Sequence, residues 1–365
     1  MFSLCSWMYV IVKMASPRIV TSVLKNLSPR SPRSVENLRQ SLTPKTPVRK
    51  DLRVENHGIS RTVDRNHLSP FNIDTPNRVK ILNNGLQNVQ RSLLGTGSFG
   101  RVYKASYKGN EVAAKIINRR KDSDLSVNAE KHATYLNHSN IVKVLGIDQG
   151  TSLSLITMEL CGTSLQDLLD DSTLEKEERI RIWKAISCAL DFCHRAGVVH
   201  ADVKPKNILM AADGQPKLAD FGSSVLMDEL DFSSRKHVRF FASILKDDSN
   251  VIKNIVYFKG TPGYAAPEVI QGDFPSPASD IYSLGVLAWQ MLSQKIPFAG
   301  FHAHTILYLT GKGKRPIDDN LDDGFNGTYK KLYRDMWSQD MKKRPMLRVI
   351  INKLSNMELR IVGIR

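Results

Sequence analysis

His200-Ala201-Asp202-Val203-Lys204-Pro205-Lys206-Asn207 is followed, thirteen positions beyond Asn207, by Asp220-Phe221-Gly222. Taken singly the pieces are ordinary, since a His-x-Asp triplet is most often a surface loop or a core histidine and Asp-Phe-Gly is a common tripeptide. Together they set two carboxylates, a carboxamide and a lysine at fixed intervals. A carboxylate such as Asp202 can take the proton of a hydroxyl, while Asn207 and Asp220 offer hard oxygens to a divalent cation. Lys204, two residues past Asp202, brings an ammonium to where negative charge would develop.

Working outward, Leu94-Gly95-Thr96-Gly97-Ser98-Phe99-Gly100-Arg101-Val102 reads as a strand entering a glycine-rich turn. Residues without a Cβ let backbone amides approach an anion closely. It is followed by Val112-Ala113-Ala114-Lys115, an apolar strand ending in a lysine. Between Lys115 and Asp148 the acidic residues are Asp122, Asp124 and Glu130, and only Glu130 lies well inside a helical pattern, with Ala129, Ala133 and Leu136 at i, i+4 and i+7. Downstream come Gly260-Thr261-Pro262-Gly263-Tyr264-Ala265-Ala266-Pro267-Glu268, then an apolar helix opening at Asp280-Ile281-Tyr282-Ser283-Leu284-Gly285, then Trp337 and Lys343-Arg344-Pro345.

In this order the segments resemble the protein kinase family. The resemblance implies an α+β bilobal fold, with a small β-rich N-lobe over about 86–160 and a larger helical C-lobe over about 161–360, in a domain spanning 86–365. It implies phosphoryl transfer from ATP with Mg²⁺, chemistry that needs positioning and charge neutralisation above all. Asp202 would then face the substrate hydroxyl, and Lys204, typical of kinases acting on serine and threonine, the transferring phosphoryl. Asn207 and Asp220 would hold Mg²⁺, and Lys115 would pair the phosphates with Glu130 as its partner. Thr261 would bridge Asp202 and Lys204. The turn from Gly95 to Gly100 (Gly95, Thr96, Gly97, Ser98, Phe99, Gly100) would cover the phosphates. Leu94, Val102, Ala113 and Leu209 would sandwich the adenine, with Met158 as gatekeeper and backbone groups of Glu159 and Cys161 at its edge. Arg344 would pair with Glu268, a contact costly to break from one side if buried.

One position departs from the family. Arginine is usual between the histidine and the aspartate, where it gathers an activation-loop phosphate bidentately; here the residue is Ala201. The same departure, the short hinge Met158-Glu159-Leu160-Cys161-Gly162, and the run Ile281-Tyr282-Ser283, Trp289-Gln290-Met291, Pro297-Phe298-Ala299-Gly300, Ile306-Leu307-Tyr308 and Arg315-Pro316 resemble the Mos family of germ-cell serine/threonine kinases. Numbered from Met14, the chain would open Met-Ala-Ser16-Pro17, similar to the Mos start. That resemblance implies a cytoplasmic kinase that phosphorylates a MAP kinase kinase in the cascade controlling oocyte meiosis. Two other classes stay open: a serine/threonine kinase of another pathway, and a nucleotide-binding scaffold that signals by docking.

The chain has 365 residues, 41 % of them hydrophobic, and a net charge of +16. Residues 1–85 hold fourteen Lys or Arg against five Asp or Glu, a net of +9, with little periodic apolar pattern after Lys13, and read as a disordered basic tail. No aromatic interleaving accompanies this charge, so nucleic acid is not expected as a partner. All seven tail prolines follow Ser16, Ser28, Ser31, Thr43, Thr46, Ser69 or Thr75, which points to proline-directed kinases as partners. The apolar stretch before Met14 is too short to span a bilayer and lacks a cleavage signal, so no membrane association is expected. Four cysteines, Cys5, Cys161, Cys188 and Cys193, suit a reduced cytosolic protein without metal-ligand spacing. From Asp220 to Glu268 is 48 positions, and the mixed-charge insert 223–259 reads as a mobile surface excursion.

Overall fold

The computed structural model describes residues 86–87, 93–96, 100–118, 123–228, 260–319, 321–361 and 363. The tail expected over 1–85, with its Ser/Thr-Pro steps, lies outside them, as do Gly97, Ser98 and Phe99 of the glycine-rich turn.

The N-lobe is built from β1 (Leu86–Gln87), β2 (Leu93–Thr96), β3 (Arg101–Tyr107) and β4 (Asn110–Asn118), helix α1 (Ser123–Glu130) with a 3-10 turn (Lys131–Tyr135), then β5 (Val144–Gln149) and β6 (Leu153–Glu159). The strands form one antiparallel sheet in the order β1-β3-β4-β6-β5, with β2 also paired to β3. The β3–β4 hairpin closes on Lys108 and Gly109, whose φ angles of +51° and +81° match a two-residue turn that follows the strand twist. Ala105, Val112, Ala114 and Leu155 pack on one side of the lobe, and Ile117 and Ile156 pack with Val127 of α1.

The C-lobe opens with α2 (Leu165–Asp171), started by a reciprocal Ser164/Asp167 cap, and α3 (Lys176–Arg195). Among the buried residues of α3, Ile180, Trp183, Ile186, Leu190 and Cys193 recur every three or four positions, and Ile182, Ser187 and Ala189 widen the stripe they make. Then come β7 (Val198–Val199), β8 (Ile208–Met210), β9 (Pro216–Leu218), β10 (Val225–Leu226), α4 (Pro267–Ile270), α5 (Pro277–Ser293), α6 (Ala303–Gly311), α7 (Thr328–Met336) and α8 (Leu347–Ile361). Every residue of α5 from Ser279 to Met291 is buried, so this helix is the axis of the core. Its Gly285 admits α7 closely: a Cβ there would meet Met336 Cβ at 2.9 Å.

The bilobal α+β architecture is as expected, with two local differences. Glu130 is the last residue of α1, because the chain tightens there into the 3-10 turn, although Ala133 and Leu136 are buried as the periodicity required. The insert also does not begin as an excursion at 223: Val225 and Leu226 pair with Val199 and Val198, and Ser224 is buried. Residues 229–259 lie outside the described residues.

Candidate active site

Three segments distant in sequence meet at Lys115. Its Nζ, delivered by β4, lies 2.5 Å from Glu130 Oε1 at the end of α1 and 2.7 Å from Asp220 Oδ1. Burial alone would lower the pKa of the ammonium, but the carboxylates of Glu130 and Asp220 outweigh it and hold it raised. Burial likewise pushes the Glu130 carboxyl up, against the pull of Lys115. At Asp220 burial works upward too, yet the Lys115 charge and hydrogen bond, with a contribution from His200, bring its pKa down to about 2. Asp220 is therefore an anion throughout the physiological range.

The loop between β7 and β8 carries the second cluster. Asp202 Oδ2 accepts from Lys204 Nζ at 2.6 Å and Asn207 Nδ2 at 3.1 Å, and its Oδ1 accepts from Thr261 Oγ1 at 3.0 Å. Lys204 Nζ also donates to Thr261 Oγ1 at 2.8 Å, so the hydroxyl bridges the acid and the lysine. Asn207 Nδ2 donates in addition to the Asp202 carbonyl at 2.9 Å, so a cation held by this carboxamide would meet its oxygen. The Asn207 carbonyl accepts from Ala219 N at 2.8 Å, tying the loop to the residue before Asp220.

What shapes this loop is Asp280, 1 % exposed in the first turn of α5. Its oxygens accept from His200 N and Ala201 N, each at 2.9 Å, and lie 2.8 Å from His194 Nε2. Ala201 sits at φ +64°, a left-handed conformation costly for a residue with a Cβ. His200 is the loop's other anchor: its Nε2 is 3.0 Å from the Ala219 carbonyl, its Nδ1 accepts from Asp202 N, and its ring packs edge-on against Phe221 at 4.8 Å. The helix opening at Asp280 thus anchors the catalytic loop, as the family resemblance implies, although neither Asp280 nor His200 is among the site residues expected from the sequence. A charged side chain in the first turn of an otherwise apolar helix was the available signal.

The residues expected at the nucleotide lie on strands of the N-lobe sheet and on β8. Leu94 is half-exposed on β2, Val102 and Ala113 sit on β3 and β4, Met158 and Glu159 end β6, and Leu209 lies in β8. Gly95 and Thr96 belong to β2, and Gly100 approaches β4 so closely that a Cβ would stand 2.3 Å from the Ile116 carbonyl oxygen. The Glu159 carboxylate accepts from Lys143 N at 2.7 Å and Lys217 Nζ at 3.0 Å, which fixes the strand leading to Cys161. Burial raises the Cys161 thiol to about 11, so it stays protonated.

Past Thr261, Ser283 Oγ donates to the Tyr264 carbonyl at 2.8 Å and the Tyr264 hydroxyl bonds Gln290. Glu268 and Arg344 form a buried bidentate pair, Nη1–Oε1 2.6 Å and Nη2–Oε2 2.8 Å, as the resemblance implied. Among the described residues no three His, Cys, Asp or Glu side chains cluster as a metal cage. One carboxylate and one carboxamide, Asp220 and Asn207, instead fit a Mg²⁺ ion that keeps waters and shares a substrate's phosphates.

A family model described as the protein kinase domain matches residues 89–354. The chain is 33 % identical over 269 residues to the serine/threonine-protein kinase mos of Patiria pectinifera, covering 69 % of this chain and 70 % of that one. It is 32 % identical over 248 residues to the proto-oncogene serine/threonine-protein kinase mos of Sus scrofa, covering 61 % and 66 %. It is 30 % identical over 248 residues to the carbon catabolite-derepressing protein kinase of Saccharomyces cerevisiae, covering 66 % of this chain but 36 % of the yeast protein.

Proposed function

The chain belongs to the protein kinase family, among serine/threonine kinases similar to mos, and from that premise we propose that it uses ATP and Mg²⁺ to phosphorylate a MAP kinase kinase. One observation carries the catalytic half of this reading: Asp202 is held between Lys204, Thr261 and Asn207, with a Lys115–Asp220 pair built beside it. Asp202 orients the substrate's serine or threonine hydroxyl and accepts its proton as the oxygen attacks the γ-phosphorus and the bond to ADP breaks. Lys204 balances charge on the transferring group, and Thr261 keeps Lys204 and Asp202 in register. Lys115, oriented by Glu130, pairs the nucleotide phosphates, and the turn from Gly95 to Gly100 covers them. Asn207 and Asp220 hold Mg²⁺, which when bound neutralises the phosphate oxygens. Leu94, Val102, Ala113 and Leu209 enclose the adenine, with Met158 behind it and the backbone of Glu159 and Cys161 at its edge.

The Mos-type half rests on the run from Tyr282 to Pro316 and on the relatives named mos. It assigns the chain the position of a MAP kinase kinase kinase in oocyte meiosis, in the cytoplasm, with the kinase domain over 86–365 and a basic tail that proline-directed kinases modify. Cys161, Cys188 and Cys193 are free thiols, in keeping with a reducing compartment. No helix among the described residues is long and apolar enough to cross a membrane. The likeness to the carbon catabolite-derepressing kinase favours a second reading, a serine/threonine kinase of another pathway. Purified chain with ATP and Mg²⁺ separates the two: phosphate should appear on a MAP kinase kinase in preference to other kinases' substrates. Robust phosphorylation of a general protein substrate with none on any MAP kinase kinase would leave only the second reading.

A further inference from the structure

Helix α1 has little in its own sequence to hold it. Eight residues are too few for a stable isolated helix, and Ser123, Ser126, Val127 and Asn128 are poor helix formers. The carbonyls at the end of a helix are open to donors from outside it, and here one of them belongs to Ala129, directly before Glu130. It is met by a donor far away in sequence: Ser224 Oγ, buried, lies 3.0 Å from the Ala129 carbonyl oxygen. The same Oγ lies 2.9 Å from Nδ1 of His132, in the 3-10 turn that follows α1. A hydroxyl has one hydrogen, so with that hydrogen on Ala129 the His132 Nδ1 must donate to Ser224. The chain of donors thus runs from His132 through Ser224 to the carbonyl beside Glu130. Ser224 also stands four residues past Asp220 and next to β10, which is fastened to β7.

We propose that Ser224 and His132 are positioning residues that hold Glu130 against Lys115, so that the segment opening at Asp220 caps the helix on which the ion pair depends. This rests on Lys115 being the phosphate-pairing group. Neither residue touches a reacting atom; both act through Glu130. In this arrangement the Ser224 hydroxyl is a structural donor closed to modification, and the α1 terminus and the Asp220 segment are correct together or not at all.

The test is Mg-ATP affinity of the full chain by calorimetry, with kcat and KM for ATP alongside. A typical net hydrogen bond predicts that Ser224→Ala weakens Mg-ATP binding about five-fold, with His132→Phe similar. The double variant should lose about as much as either single one, because both cut one chain. His132→Asn, which can still place a donor near Nδ1, should stay within about two-fold of wild type. In a Glu130→Gln background, Ser224→Ala should add less than about two-fold. A full five-fold loss added on top of Glu130→Gln, or unchanged affinity in Ser224→Ala, overturns the proposal. If Glu130→Gln alone leaves affinity and kcat unchanged, the reading of the Lys115 site fails, and the clamp with it. Should Ser224→Ala not fold, the His132→Phe and His132→Asn pair carries the same comparison.

Discussion

Replacing Asp280 with alanine removes one carboxylate that organises the catalytic loop from 80 residues downstream. One buried backbone donor, His200 N, and one partly buried one, Ala201 N, lose their acceptors, and His194 loses a partner. An orphaned buried donor costs about 1–3 kcal/mol and a partly buried one less, so the two amides together cost about 1–5 kcal/mol. That is a large part of the 5–15 kcal/mol typical of a folded protein. The loss has a second component, because Ala201 at φ +64° is held in place by the same bond. Ala201→Gly added to Asp280→Ala should therefore return about 1 kcal/mol, since glycine adopts that conformation without strain. Asp280→Asn keeps one acceptor and turns an amide toward the other donor, which predicts about half the loss. Urea unfolding of the full chain measures these values, with the slope unchanged and the midpoint lowered, and phosphoryl transfer should fall alongside. A loss below about 1 kcal/mol for Asp280→Ala, with kcat within about two-fold of wild type, would refute the claim that this carboxylate shapes the loop.

Asp220, brought down to about 2 in the folded protein against its ordinary 3.8, contributes stability that is present above about pH 4 and lost as pH falls toward 2. Acid unfolding of wild type should show that loss and Asp220→Asn should show less of it; superimposed acid limbs would contradict the Lys115–Asp220 pairing. Ala201 offers no guanidinium for an activation-segment phosphate, while Thr261 and Tyr264 are already tied to Asp202, Lys204 and Ser283. Phosphatase-treated enzyme should keep activity within about two-fold of a mock-treated control, and a collapse would mean that another basic group has taken the arginine's place.

The catalytic loop was legible because its functional atoms lie within a few residues of one another, and Lys204, Asn207 and Asp202 indeed share contacts. Lys115, Glu130 and Asp220 come from three separate segments, and their meeting follows from family resemblance, with the helical pattern around Glu130 picking it out from Asp122 and Asp124. The resemblance also implies that the helix opening at Asp280 anchors the catalytic loop, but which atoms it holds, the amides of His200 and Ala201 far upstream, has no local trace in the sequence. The end of α1 is not legible because apolar spacing does not mark where an α-helix tightens into a 3-10 turn: Ala133 is buried in the turn as it would be in a continued helix. Ser224 looked like one more polar residue at the start of a mixed-charge insert, although Val225 and Leu226 beside it pair with β7. Composition cannot report a strand of two residues.

The central claim is that the Asp202-centred site transfers phosphate to serine or threonine. It is met most directly by the initial rate of phosphate transfer from ATP to a protein substrate, comparing purified wild type with Asp202→Ala confirmed to be folded. The account predicts label on serine or threonine and a rate reduced at least about 100-fold in the variant. Equal rates in the two proteins, or label on tyrosine alone, would contradict it.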